Sequence, residues 1–98
     1  MRVFLEKVGN RIELDKDDAA LFYREFRWTR FWGLFFRSCR GCLEGVAPDL
    51  KIIIEHGGKT SSHFIYSRSV LYDPVRNRSW QFYFAAILIE WHRDSVQP

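Results

Sequence analysis

The stretch Asp15–Leu43, DKDDAALFYREFRWTRFWGLFFRSCRGCL, decides the fold, because it is the long helix candidate in a chain whose remainder reads as short strands. At about 100° per residue, Leu21, Trp28, Trp32, Phe35, Cys39 and Leu43 project into one narrow stripe, with Phe31, Phe36 and Cys42 beside it. That stripe is the face an amphipathic helix is expected to bury. Arg27, Arg30, Arg37 and Arg40 fall on the opposite side, and Arg24 lies near the apolar edge. Asp15 is the expected N-cap, and Asp17 and Asp18 occupy the first turn, where carboxylates favour the positive helix end. Arg37 and Arg40 suit the last turns, and either Gly41 or Gly45 suits a left-handed cap. Gly33 weakens the middle by about 1 kcal/mol relative to alanine and marks a kink, a break or a close backbone approach. Phe22, Tyr23, Phe26 and Leu34 project among the arginines. Four apolar groups on that side make a patch that either a second layer or a partner covers.

Upstream, Arg2–Val8 and Arg11–Leu14 are short apolar–polar runs joined by Gly9-Asn10, the pattern of a hairpin with a two-residue turn. Downstream, GVAPD at 45–49 is the clearest break, with Pro48 ending any helical register. Leu50–His56 is β-branched and strand-like, and Gly57–Ser62 reads as a loop. Ser62–Tyr72 alternates as a strand except at Arg68, and Asp73–Arg78 is a turn with a basic tip. Ser79–Trp91 is apolar on both faces, as a central strand would be, although Ala85–Ile89 also fits the start of a C-terminal helix. His92–Pro98 reads as a fraying tail. The expected architecture is a single α+β domain over 1–98. In it a small antiparallel sheet in ββαβββ order carries one long amphipathic helix across one face. The sheet's other face would then carry tyrosine, tryptophan or serine, and if it is aromatic and exposed a homodimer follows.

Composition bounds the class of protein. The 98 residues are 47% hydrophobic and 17% aromatic, which is a folding rather than a disordered composition. The longest uncharged run, Ser79–Ile89, is too short for a bilayer span, and MRVFLEKVGN has no apolar signal-peptide core. These features imply an intracellular, cytoplasmic protein with reduced cysteines. The net charge of +3 is distributed unevenly. Between Arg24 and Arg40, five arginines stand against Glu25 alone, giving +4 and leaving −1 for the rest.

Each chemical constellation has an ordinary structural explanation beside it. Cys39-Arg40-Gly41-Cys42 lies near a helix C-terminus, where the dipole disfavours the thiolate that redox chemistry needs. With His56 and His63 the pair makes a zinc set, but its spacing falls just outside the common finger pattern, and small buried thiols are ordinary core residues. Gly57-Gly58-Lys59-Thr60 ends like a phosphate-binding loop but has isoleucine at position 53, where the first glycine belongs, so it reads as a turn between strands. His56, His63 and His92, with Glu55, Asp73 or Glu90, have the chemistry of acid–base catalysis, but no spacing gathers them. No cofactor is implied.

What remains is recognition. Tyr23, Arg24, Phe26, Arg27, Arg30, Arg37 and Arg40 combine guanidiniums with aromatic rings, the composition of protein interface hot spots. The expectation is a non-catalytic binding protein docking on an acidic protein surface through this helix face or through an exposed sheet face. Its size suits a regulator or inhibitor, of the compact kind that phages direct against host machinery. The alternative is a nucleic-acid-binding module, with the same arginines on phosphates, the rings on unpaired bases, and Arg68, Arg76 and Arg78 extending the surface. A small zinc-binding domain is the third reading.

Overall fold

The computed structural model describes residues 1–33, 45 and 47–96, without the side chains at positions 30, 32 and 96. In chain order the elements are β1 (Arg2–Lys7), β2 (Asn10–Glu13), α1 (Lys16–Gly33), β3 (Leu50–His56), β4 (Lys59–Tyr66), β5 (Val70–Asp73), β6 (Arg78–Gln81) and α2 (Ala85–Val96). The strands form one sheet in the order β2-β1-β3-β4-β5-β6, and every neighbouring pair is antiparallel. This is the expected α+β class with a helix across the sheet. The ββαβββ order is extended by one strand and one helix.

The extra strand comes from the segment expected as a single strand over Ser62–Tyr72. The chain turns back at Ser67 and Arg68, both at positive φ, so that Tyr66 lies opposite Val70. The arginine that broke the alternation therefore marked a turn. The expected loop over Gly57–Ser62 contracts to a two-residue turn, Gly57-Gly58, with His56 opposite Lys59. The first hairpin turns at Val8-Gly9, one residue earlier than expected, with Lys7 opposite Asn10. Positive φ at both turn residues, 48° and 80°, is the type I′ geometry that matches the twist of the flanking strands.

Strand register divides the sheet into two faces. Val3 and Leu5, Leu50, Ile52 and Ile54, His63 and Ile65, Leu71 and Trp80 align on one face and are buried under the helices. Leu14 follows them into that core and donates its N–H to Val3 O at 2.9 Å. Asp15 then caps α1 as expected, its Oδ1 accepting the Asp18 N–H at 2.8 Å. Leu14 and Ala19 stand at the two positions of a hydrophobic staple, and both are buried in the same core.

The phase of α1 corrects the expected stripe. Phe22 is fully buried and Phe26 is 3% exposed, whereas Leu21 is 36% and Trp28 58% exposed. The buried positions Ala19, Phe22, Tyr23 and Phe26 follow i, i+3, i+4, i+7, with Tyr23 packed half-buried against the core. The longer projection drew its phase from Trp32, Phe35, Cys39 and Leu43, whose side chains lie outside the described residues. The staple at Leu14 and Ala19 fixes the real phase in the first turn. Phe22 meets Phe82 edge-on at 6.1 Å, and Phe26 meets His63 at 4.8 Å.

The second correction concerns the C-terminus. Ser79–Trp91 is not a central strand: β6 ends at Gln81 on the sheet edge, and α2 starts at Ala85, where the Ala85 N–H bonds Phe82 O at 3.0 Å. Ala85, Leu88, Ile89 and His92 repeat at helical spacing. The first two and His92 are buried and Ile89 is half-buried. His92 is therefore part of a helix rather than of a fraying tail, with Nε2 3.0 Å from Asn10 O. The helix α2 lies against β1 and β2. Among the described residues no helix is long and apolar enough to cross a membrane.

Two substitutions test this packing. Phe22→Ala should cost about 3–5 kcal/mol, while Trp28→Ala should cost less than about 1 kcal/mol, as read from urea unfolding. Val8 is β-branched at a left-handed turn position, 90% exposed, so Val8→Asn should raise stability by about 1 kcal/mol in the same assay.

Candidate docking surfaces

Because Ala19, Phe22 and Phe26 face the sheet, the helix turns Ala20, Arg24, Arg27, Trp28 and Phe31 outward as a second stripe at helical spacing. Together with Tyr23, Glu25 and Met1 they line an open groove of about 770 Å³. Its apolar wall is substantial: Trp28 and Phe31 are 58% and 50% exposed, and their rings stack at 6.1 Å. Tyr23 joins the groove to the core, stacked on His56 at 5.2 Å and on Phe26 at 6.3 Å.

The groove's charge is mainly positive. The Arg27 guanidinium lies 6.0 Å from the Tyr23 ring centroid and has no carboxylate partner among the described residues. Arg24, well exposed, makes a 3.4 Å contact with its half-buried neighbour Glu25, a surface pair of little net strength.

The structure thus brings together three of the expected partner-binding residues: Tyr23, Arg24 and Arg27. Phe26 is withdrawn from the set, because its ring is buried against His63 beneath the helix. Arg37 and Arg40 lie outside the described residues, as does the side chain of Arg30. Met1, Trp28 and Phe31 are additions. Trp28 and Phe31 were assigned to the buried side by the misphased projection, and their i+4 and i+7 spacing from Arg24 is the signal that places them. Of the arginines expected to extend the surface, Arg76 is paired with Asp73 at 3.9 Å, and Arg68 lines a different cavity.

The zinc set is only half described. Cys39 and Cys42 lie outside the described residues, while His56 stacks on the Tyr23 ring and His63 is buried against the Phe26 ring. Among the described residues no group of three or more metal-binding side chains gathers. The histidines are dispersed: His56 is exposed, and His63 and His92 are buried under α1 and in α2.

The sheet face away from the helices is the other open surface. Phe64, Tyr66 and Tyr72 are half-buried and pack on one another, with centroids 6.5 and 6.0 Å apart. Toward β2 the face becomes a salt-bridged grid. Arg2 bonds Glu13 at 2.7 Å and reaches Glu55 at 3.7 Å, and Arg11 bonds Glu6 at 2.9 Å. The Phe4 ring lies beneath both guanidiniums, 4.9 Å from Arg2 and 5.6 Å from Arg11. Both guanidiniums of this grid are thus compensated by carboxylates.

No protein-family model matches the chain, and neither curated proteins nor solved structures give a significant match.

The grid has a measurable signature. The hydrogen bond from Arg2, followed by its charge, holds the Glu13 carboxyl below its ordinary value. A depressed carboxylate stabilises the fold above its unfolded pKa and loses that contribution as pH falls through the folded one. In an NMR pH titration Glu13 should therefore protonate below the usual glutamate range, and Arg2→Gln should remove that depression.

Proposed function

We propose that this protein is a non-catalytic binding module whose α1 groove docks an acidic segment of a partner protein. The observation that carries this reading is the juxtaposition in one groove of Arg24 and Arg27 with the stacked, half-exposed Trp28 and Phe31. Tryptophan, tyrosine and arginine dominate interface hot spots because each combines a large contact area with a directional polar or cationic group. An apolar anchor on the partner would displace water from the rings, and carboxylates beside it would meet the guanidiniums bidentately. The complementary ligand is thus an acidic stretch bearing an aromatic or aliphatic residue. A small protein of this kind acts by occupying its target's surface, as a regulator or inhibitor does.

The open sheet face supports docking less well. Its arginines, Arg2 and Arg11, are already paired with glutamates, and breaking those pairs would offset what a partner gained. The same compensation of the arginines weighs against nucleic acid on that face, where affinity comes from uncompensated positive charge.

The test is capture from lysate of the native host, with and without nuclease, using wild type, Trp28→Ala and the Arg24→Glu/Arg27→Glu pair. The expected result is a protein retained through nuclease and lost with both variants. Trp28→Ala should weaken binding by about 2 kcal/mol or more, roughly thirtyfold. Both variants should melt with the wild type, since the altered groups are exposed. A partner bound equally by the variants overturns the groove. Recovery abolished by nuclease overturns the protein partner in favour of nucleic acid.

A further inference from the structure

A second cavity shares no residue with the α1 groove. It encloses about 310 Å³ where the β1–β2 hairpin, the start of β3, the β4–β5 turn and α2 converge. Lys7, Arg68 and Arg93 line it, together with the buried His92. No aspartate or glutamate is among the lining residues, and none of the three cations has an ion-pair partner among the described residues. Of the carboxylates around it, Glu6 is held by Arg11, and Asp49 Oδ2 accepts the Arg68 backbone N–H at 2.9 Å. Glu90 and Asp94 stand on α2 beside Ile89 and Arg93 without lining the cavity.

The backbone gives an independent indication. Arg68 stands at φ 65°, directly after Ser67 at 50°. In the other two tight hairpins of the sheet the second left-handed position is glycine, Gly9 and Gly58. A side chain in this region costs of order 1 kcal/mol, and such strain concentrates where a residue has work besides folding. Here it delivers a guanidinium to a pocket that already holds Lys7 and Arg93. Like charges gathered in a concavity repel, and a bound anion relieves that repulsion.

We propose that this cavity binds the phosphate group of a small phosphomonoester. Two guanidiniums and an ammonium supply more positive charge than one carboxylate uses, and arginine matches phosphate oxygens two at a time. The volume lies at the small end of ligand pockets, which limits the organic part to a compact group. Val8 and Ile89 provide the apolar surface against which that group rests. His92 donates Nε2–H to Asn10 O, since a carbonyl only accepts, and this fixes its ring against the cavity. The polar residues that α2 gives the pocket, His92 and Arg93, lie in the C-terminal half of that helix, where the dipole disfavours an anion, so the side chains carry recognition.

The test is titration of the ¹⁵N-labelled protein with phenyl phosphate, inorganic phosphate and phenylacetate at constant ionic strength. Phenyl phosphate should bind saturably, shift the amides of Lys7, Arg68, Ile89 and Arg93, and leave Arg27 and Trp28 unmoved. It should bind about tenfold tighter than phenylacetate, the same ring with a single charge. Arg68→Gly removes the guanidinium while easing the backbone, and Arg93→Gln removes the other; each should weaken binding by about tenfold or more. Arg68→Gly should melt no lower than wild type. Non-saturating shifts, or wild-type affinity in both variants, overturn the site. Equal affinity for inorganic phosphate overturns the ester assignment.

Discussion

The junction between β2 and α1 sets the geometry on which the remaining contacts depend. Leu14 is still hydrogen-bonded to the sheet through Val3 when Asp15 begins to cap the helix. With Leu14 and Ala19 buried together, the first helical turn has no rotational freedom. Phe22 and Phe26 must then point at the sheet, and Trp28 and Phe31 must point away from it. Had the phase been set further along, those pairs would exchange roles. The inner rings hold the helix down through Phe82 and His63, and the outer rings become a binding surface as a geometric consequence.

Local chemistry was legible in the sequence where it acts alone. The Asp15 cap, the hairpin at Gly9, the turn at Gly57-Gly58 and the β-branched strand over Leu50–His56 each depend on a few adjacent residues. Helix phase does not. With an apolar group on nearly every side of the segment from 15 to 43, a projection over its full length averages out the phase that tertiary packing fixes in the first turn. The C-terminal segment failed for a related reason. Ala85–Ile89 is apolar throughout and suits either structure, and only the buried His92, a polar residue at the next core position, completes the helical repeat.

The candidate surfaces divide along the same line. Tyr23, Arg24 and Arg27 were visible as an arginine–aromatic cluster, because residues three and four apart share a helix face. Phe26 belongs to the same stretch but sits one step around, and that step separates core from groove. The phosphate pocket had no sequence signature at all. Lys7, Arg68 and Arg93 come from a strand, a turn and a helix, and only the fold brings them together.

Charge follows where compensation is available. On the sheet, alternation places Arg2 opposite Glu55 and Arg11 opposite Glu6, so cross-strand pairing compensates both arginines. On α1 the only near neighbours of Arg27 at helical spacing are Tyr23, Arg24, Arg30 and Phe31, none of them acidic, so its charge is left over. At the β4–β5 turn Asp49 bonds the Arg68 backbone N–H rather than its side chain, and the Arg68 guanidinium has no ion-pair partner among the described residues. A net charge of only +3 thus conceals two separate places where cations lack an ion-pair partner among the described residues, Arg27 in the groove and Lys7, Arg68 and Arg93 in the pocket. They share no lining residue, so occupation of one need not alter the other except through long-range fields that physiological salt screens over about 8 Å. The groove presents its cations beside exposed rings, which suits the broad contact of a protein segment. The pocket encloses its own in a small volume, which suits a compact anion.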